Sequence, residues 1–196
     1  VTSADRDVID VLSSDHDEFL DLIAEIQGEV EPTIRRQKAD VLIAELVRHS
    51  VAEEMFVYPV MRERLPDGEA AVQHDIDEHK ELEVTMKALE DLEPNEALFD
   101  QTVAQLESIL RDHVKDEEQE QFPRLRAEVP ADQLVRLADQ VELAKKVAPT
   151  RPHPDAPNDA LFHMMAGPGV GLVDRLRDTL SGRITSREDV PGRESN

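Results

Sequence analysis

The sequence predicts an all-α protein built on an up-down-up-down four-helix bundle. Three observations predict it. Four long segments place apolar residues at steps of 3 and 4, and short breaks carrying Pro, Gly, Asn or Asp separate them. The apolar set is mostly Leu, Val, Ile and Ala, with aromatics at only 3%, which suits helix packing better than a sheet. Charged residues at 34%, rich in Glu and Asp, fit exposed helix faces.

The first helix is expected from about Asp5 to Glu29, with Val8, Leu12, His16, Phe19, Ile23, Ile26 and Val30 on one face; Gly28 and Pro32 end it. The second runs from about Ile34 to Leu65 through Leu42, Leu46, His49, Glu53, Phe56 and Val60. The turn Leu65-Pro66-Asp67-Gly68 stops it. The third runs from about Glu69 to Leu92 through Val72, Ile76, His79, Leu82, Met86 and Leu89, and Pro94 and Asn95 break it. The fourth runs from about Glu96 to Glu128 through Phe99, Val103, Leu106, Leu110, His113 and Glu117. Residues 1–128 thus make the bundle. Residues 129–148 hold an additional helix, Asp132 to Val147. Residues 149–196 form a Pro-rich linker and a partly disordered tail with one short amphipathic set, Val170, Leu172, Val173, Leu176 and Leu180.

Composition excludes several functions. The net charge of −22 argues against nucleic acid and against anionic membranes, since phosphate binding needs clustered Lys and Arg. No apolar run is long enough to span a bilayer and no secretory signal is visible, so the expected location is cytoplasmic. The absence of cysteine removes disulfides, iron–sulfur clusters, thiolate zinc sites and cysteine nucleophiles. A metal site here must use His and carboxylate.

The apolar stripes carry residues that apolar packing does not explain. His16, His49, His79 and His113 each continue the spacing of their stripe and so point inward. Glu53 and Glu117 follow His49 and His113 by four residues, one turn along the same face. Burying these groups without partners would cost roughly 2 kcal/mol or more each. Their heights also agree. His16 lies about 15 residues before the first turn and His49 about 18 after it; His79 and His113 stand likewise about the third turn. One such histidine alone reads best as a core residue bonded to a carboxylate. Four histidines and two carboxylates in one layer read as a metal site, with nitrogen and oxygen donors that suit iron or manganese better than zinc.

An internal repeat strengthens this reading. His49, Glu53, Glu54, Tyr58 and Pro59 are matched by His113, Glu117, Glu118, Phe122 and Pro123 at the same offsets. Upstream, Asp15-His16 is matched by Glu78-His79. Glu54 and Glu118 are read as surface or outer groups of the site. Tyr58 falls half a turn off the ligand face and is read as packing, unless the kink at Pro59 turns it. The pattern His…His-x-x-x-Glu, occurring twice over residues 5–128, resembles the hemerythrin family in its bacterial HHE cation-binding form. A ferritin-like di-iron centre is the structural rival, but its Glu-x-x-His spacing is absent.

The resemblance implies two iron ions, oxo- or hydroxo-bridged, with His16 and His49 on one, His79 and His113 on the other, and Glu53 and Glu117 between them. Oxygen carriers of the family have His-x-x-x-His on the third helix. Here His74 precedes His79 by five residues, about 140° away on a regular helix. A π-bulge would return His74 to the site; without one, Asp75 faces it, or the position is open. The implied function is binding, sensing or reduction of small oxygen species, with O2, H2O2 or NO as the small ligand and a catalase- or peroxidase-like activity possible. The alternative is iron handling, or a metal-stabilised interaction module without catalysis. His153 in the linker is read as solvated, and His163 as packing without a metal role. Protein partners and oligomeric state stay open.

Overall fold

The computed structural model describes residues 6–155 and 160–191, and of residues 160–168 the backbone alone. The reading of His163, and of the last residues 192–196 as disordered, falls outside the described residues. Helix α1 spans Val8–Gly28, and Asp7 caps it reciprocally with Asp10. Helix α2 spans Pro32–Ala52 with proline in its first turn, and the Glu31 carboxylate accepts the Ile34 N–H. A π-helical turn, Glu53–Val57, then leads without a break into α3, Tyr58–Arg64. Helix α4 spans Gly68–Glu90. Helix α5, Ala97–Asp116, passes through a second π-helical turn, Glu117–Gln121, into α6, Phe122–Glu128. Helices α7, Ala131–Val147, and α8, Ala160–Ser181, follow. The described residues contain no strand, and no helix among them is long and apolar enough to cross a membrane.

The expected four rods are therefore α1, α2–α3, α4 and α5–α6. Both π turns stand just before a proline, Pro59 and Pro123. In an α-helix a proline ring would collide with the carbonyl four residues back. Widening the turn relieves that collision, and the Tyr58 and Phe122 amides reach back to the Glu53 and Glu117 carbonyls. The turn from α3 to α4 needs Gly68, because a Cβ there would lie 2.1 Å from the Met61 carbonyl oxygen.

The rods close a square in which α1 packs on α2, α2 on α4, α4 on α5 and α5 on α1. Helix α7 lies across α1 and α2. Two hydrophobic clusters fill the bundle. One holds Phe19, Leu22, Ile23, Ile26, Leu42, Leu46, Leu82, Met86, Phe99 and Leu106; the other holds Val8, Leu12, Val57, Met61, Val72, Phe122 and Leu125. Val30, past the end of α1, is exposed rather than on the apolar face. On every rod the boundary between the clusters falls at the ligand-type residues: His16, His49 with Glu53, His79, and His113 with Glu117. The bundle is thus two apolar plugs with one polar layer between them.

The proline-rich run lies on the bundle. Thr150 and Pro152 are buried, and Arg151 pairs with Glu90 and Asp178. His153 is not simply solvated, because its Nε2 meets the buried Asp174 of α8 at 2.9 Å. Helix α8 rests on α7 and on the first π turn. Gly171 allows that approach, since a Cβ would come within 2.4 Å of the Val147 carbonyl oxygen. The face read as apolar, Leu172, Val173, Leu176 and Leu180, is exposed. Asp174 and Asp178 face inward and fix α8 through His153, Arg151 and Arg183.

Candidate metal centre

The six residues of the polar layer are all buried, none more than 2% exposed. The imidazoles pair closely: ring centres of His16 and His49 lie 4.9 Å apart, as do those of His79 and His113, and His16 and His113 are 6.3 Å apart. Each imidazole is held by a carboxylate at Nδ1. His16 meets Glu118 at 2.9 Å, His49 meets Asp15 at 3.0 Å, His79 meets Glu54 at 2.9 Å and His113 meets Glu78 at 2.9 Å. The arrangement obeys the repeat. The acid before the first histidine of each half holds the second, and the acid after each glutamate holds the first histidine of the other half.

A carboxylate can only accept, so each Nδ1 donates and each neutral ring turns the Nε2 lone pair inward. The Nε2 atoms of His16 and His49 are 3.2 Å apart. Two lone pairs at that distance repel unless a cation or a proton lies between them. The carboxylates add to this. Glu53 Oε2 lies 3.3 Å from His49 Nε2 and 3.4 Å from His79 Nε2, and Glu117 Oε2 lies 3.3 Å from His16 Nε2 and 3.5 Å from His113 Nε2. Each glutamate therefore stands between the two halves. Yet all four of their oxygens, and His113 Nε2, lack a hydrogen-bond partner. Buried carboxylates left so would cost several kcal/mol each, and bound cations would supply the missing partners. The donor set thus fits a metal. It divides into His16, His49, Glu53 and Glu117 around one point and Glu53, His79 and His113 around another.

Without metal the surroundings favour a proton on three of the imidazoles, His16, His49 and His79. Burial lowers the affinity of His16 for a proton, but Glu117 and Glu118 more than offset it and raise its pKa to about 10. Burial works the same way on His49 and His79, and their facing carboxylates again prevail and raise both. Burial pushes Glu53 up, but His49 and His79 hold it well below the usual carboxylate range.

Comparison with known proteins agrees with this chemistry. The family model described as Hemerythrin HHE cation binding domain matches residues 7–125. The chain belongs to the hemerythrin HHE cation-binding family. An uncharacterized hemerythrin-like protein of Schizosaccharomyces pombe is 32% identical over 137 residues, 69% of this chain and 68% of that protein. A DNA nickase of Nostoc sp. is 28% identical over 141 residues, 72% of this chain and 40% of that protein. No solved structure matches it.

Within this hemerythrin-family chain the structure brings together His16, His49, Glu53, His79, His113 and Glu117, and does not bring His74 to them. His74 is 56% exposed and lies 3.4 Å from both Glu78 and Asp116. Helix α4 has no π turn, so a residue five before His79 stays about 140° away from it. Asp75 faces inward instead and is fully buried. Its Oδ1 accepts from Gln121 Nε2 at 2.8 Å, its Oδ2 has no partner, and burial with Glu117 nearby raises its pKa to about 7.

The π turns act on the other rods. A residue five positions along an α-helix is off the face, but across a π turn it returns to it. Tyr58 and Phe122 therefore line up with Glu53 and Glu117. Tyr58 is fully buried, stacks near His79 at 5.5 Å, and places its hydroxyl 3.1 Å from His79 Nε2. Phe122 stacks on His16 at 5.9 Å. Tyr58 is the site residue that regular helical spacing misplaced; the prolines at matching offsets were its signal. Burial, and then the charge of Glu53, hold its phenol well above the ordinary value.

Proposed function

We propose that this chain is a non-haem di-iron protein that binds or reduces small oxygen species, O2 or hydrogen peroxide. One observation carries the reading: four imidazoles, each fixed at Nδ1 by a carboxylate, aim Nε2 at the unpartnered oxygens of two glutamates. His16 and His49 would hold one iron, His79 and His113 the other, and Glu53 and Glu117 would reach both. When bound, adjacent irons supply an open coordination position and two one-electron donors.

The chain's own residues supply the surroundings. Carboxylates at Nδ1 fix the tautomer and make each imidazole a stronger donor. Phe19, Tyr58 and Phe122 wall the layer and keep water out. The two halves differ where small-molecule chemistry would occur. Tyr58 and Asp75 stand on the His79 side, whereas their counterparts in the repeat, Phe122 and Leu12, are apolar. Tyr58 keeps its proton at any ordinary pH and so offers a hydroxyl donor beside His79 Nε2. That side is where an oxygen-containing ligand would be oriented.

Anaerobic iron-loaded protein exposed to O2, and separately to hydrogen peroxide, tests this with an absorption spectrum, peroxide consumption and an iron count. The expected result is a near-ultraviolet and visible spectrum that responds to both, altered in Tyr58→Phe. Iron-loaded protein with an unresponsive spectrum and no peroxide loss would overturn the oxygen chemistry. Protein that takes up no iron would overturn the whole reading.

A further inference from the structure

The buried layer connects to the surface through donor groups on one side. Three sets of ligand-type atoms, each set within 4.8 Å, share members in sequence: His74, Glu78 and Asp116; then Asp75, Glu78 and His113; then Glu53, His79 and His113. Glu78 joins the first two with separate oxygens, Oε1 at 3.4 Å from His74 Nε2 and Oε2 at 2.9 Å from His113 Nδ1. His74 Nε2 also faces Asp116 Oδ2 at 3.4 Å, so three donors converge at a solvent-exposed point. Behind them, fully buried, Asp75 keeps Oδ2 unpartnered.

The opposite half of the repeat shows that packing does not require this. Counted from His16 and His49, the counterparts of His74, Asp75 and Asp116 are Val11, Leu12 and Ala52, all apolar and buried. The counterpart of Glu78 is Asp15, whose oxygens are occupied by Lys145 Nζ at 2.7 and 2.8 Å. A fixed ammonium there bars a second cation. One half is sealed and the other carries a graded series of ligands.

We propose that His74, Glu78 and Asp116 form a surface site for a divalent cation, through which ferrous iron passes by Asp75 and Glu78 to His113 and the buried layer. This rests on the reading that the buried layer holds iron. One imidazole and two carboxylates suit ferrous iron, and their exposure keeps binding weak enough for release. The net charge of −22 raises the local cation concentration that feeds such a site.

The test uses the metal-free full chain under anaerobic conditions. Ferrous iron is added, and a strong chelator stops uptake after increasing times. In His74→Ala/Asp116→Asn the initial uptake is expected to slow about tenfold or more, with unchanged final iron content. Asp132→Asn, removing an exposed carboxylate of α7 outside all three sets, is expected to match the unaltered chain. A second measurement guards against an altered fold: with the buried layer preloaded, Mn2+ titration followed by EPR should show one weak site that the double variant lacks. Equal uptake rates, or identical Mn2+ titrations, would overturn the inference alone. Lower final iron in the double variant would also overturn it, because His74 and Asp116 would then hold resident iron. An unaltered chain that loads no iron would overturn the metal reading with it.

Discussion

Replacing Glu54 or Glu118 with glutamine probes the outer support of the site without altering any residue proposed to touch a metal. Each carboxylate accepts an imidazole Nδ1–H at 2.9 Å, Glu54 from His79 and Glu118 from His16. Glutamine keeps the size and an acceptor oxygen but removes the charge that strengthens the imidazole as a donor. Loss of such support lowers metal affinity about 10–100-fold, or about 1.4–2.7 kcal/mol. Burial sets the order within that range. The Glu54 side chain is 3% exposed, so its charge acts through protein; that of Glu118 is 36% exposed and is screened by water. Glu54→Gln is therefore expected near the hundredfold end and Glu118→Gln near the tenfold end. Anaerobic competition for ferrous iron against chelators of graded affinity measures both. Wild-type affinity in the two variants, or a larger loss for Glu118→Gln, would refute the reasoning.

Four further outcomes follow from the same geometry. His113→Ala and Glu117→Ala should each lower iron content and thermal midpoint together, and unchanged iron in both would refute their assignment as ligands. Metal-free His16 has a pKa raised from 6.5 to about 10, so its proton stabilises that form fully below 6.5 and ceases to do so as pH climbs to about 10. Iron must displace this proton; loading in weak buffer near neutral pH should acidify the solution, and apparent affinity should rise with pH toward about 10, whereas loading without proton release would contradict it. His153 is likewise raised by the Asp174 carboxylate, so wild type should exceed His153→Asn in thermal midpoint most below 6.5 and lose that advantage as pH rises through the raised value. Gly68→Ala would place Cβ 2.1 Å from a backbone oxygen and should destabilise the chain by about 2 kcal/mol or more in urea titration. An unshifted midpoint would show that the α3–α4 turn yields without strain.

Much of the fold and the inner layer was legible because both obey one rule. Core residues at steps of 3 and 4 mark the buried face of a helix, and His16, His49, Glu53, His79, His113 and Glu117 sit on those faces. The ends of α1 and α4 were visible in Gly28 and Gly68 for similar local reasons. What regular spacing hid lies where the helix is irregular. A π turn before Pro59 moves Tyr58 through most of a half-turn, and the same device expected in α4 for His74 occurs on the two other rods instead. The carboxylates at Nδ1 were present in the repeat as Asp15, Glu54, Glu78 and Glu118, but pairing across the bundle cannot be read from one strand of helix. The same holds for His153, whose partner Asp174 lies on α8 across a proline-rich run.

Two cations are proposed to share one layer, and iron K-edge X-ray absorption of the loaded chain reads that arrangement itself. The expected result is two irons per chain, a first coordination sphere of nitrogen and oxygen without sulfur, imidazole scattering, and an iron–iron distance of roughly 3.5–4 Å. A loaded chain with a single isolated iron, or with no iron–iron vector at all, would contradict it.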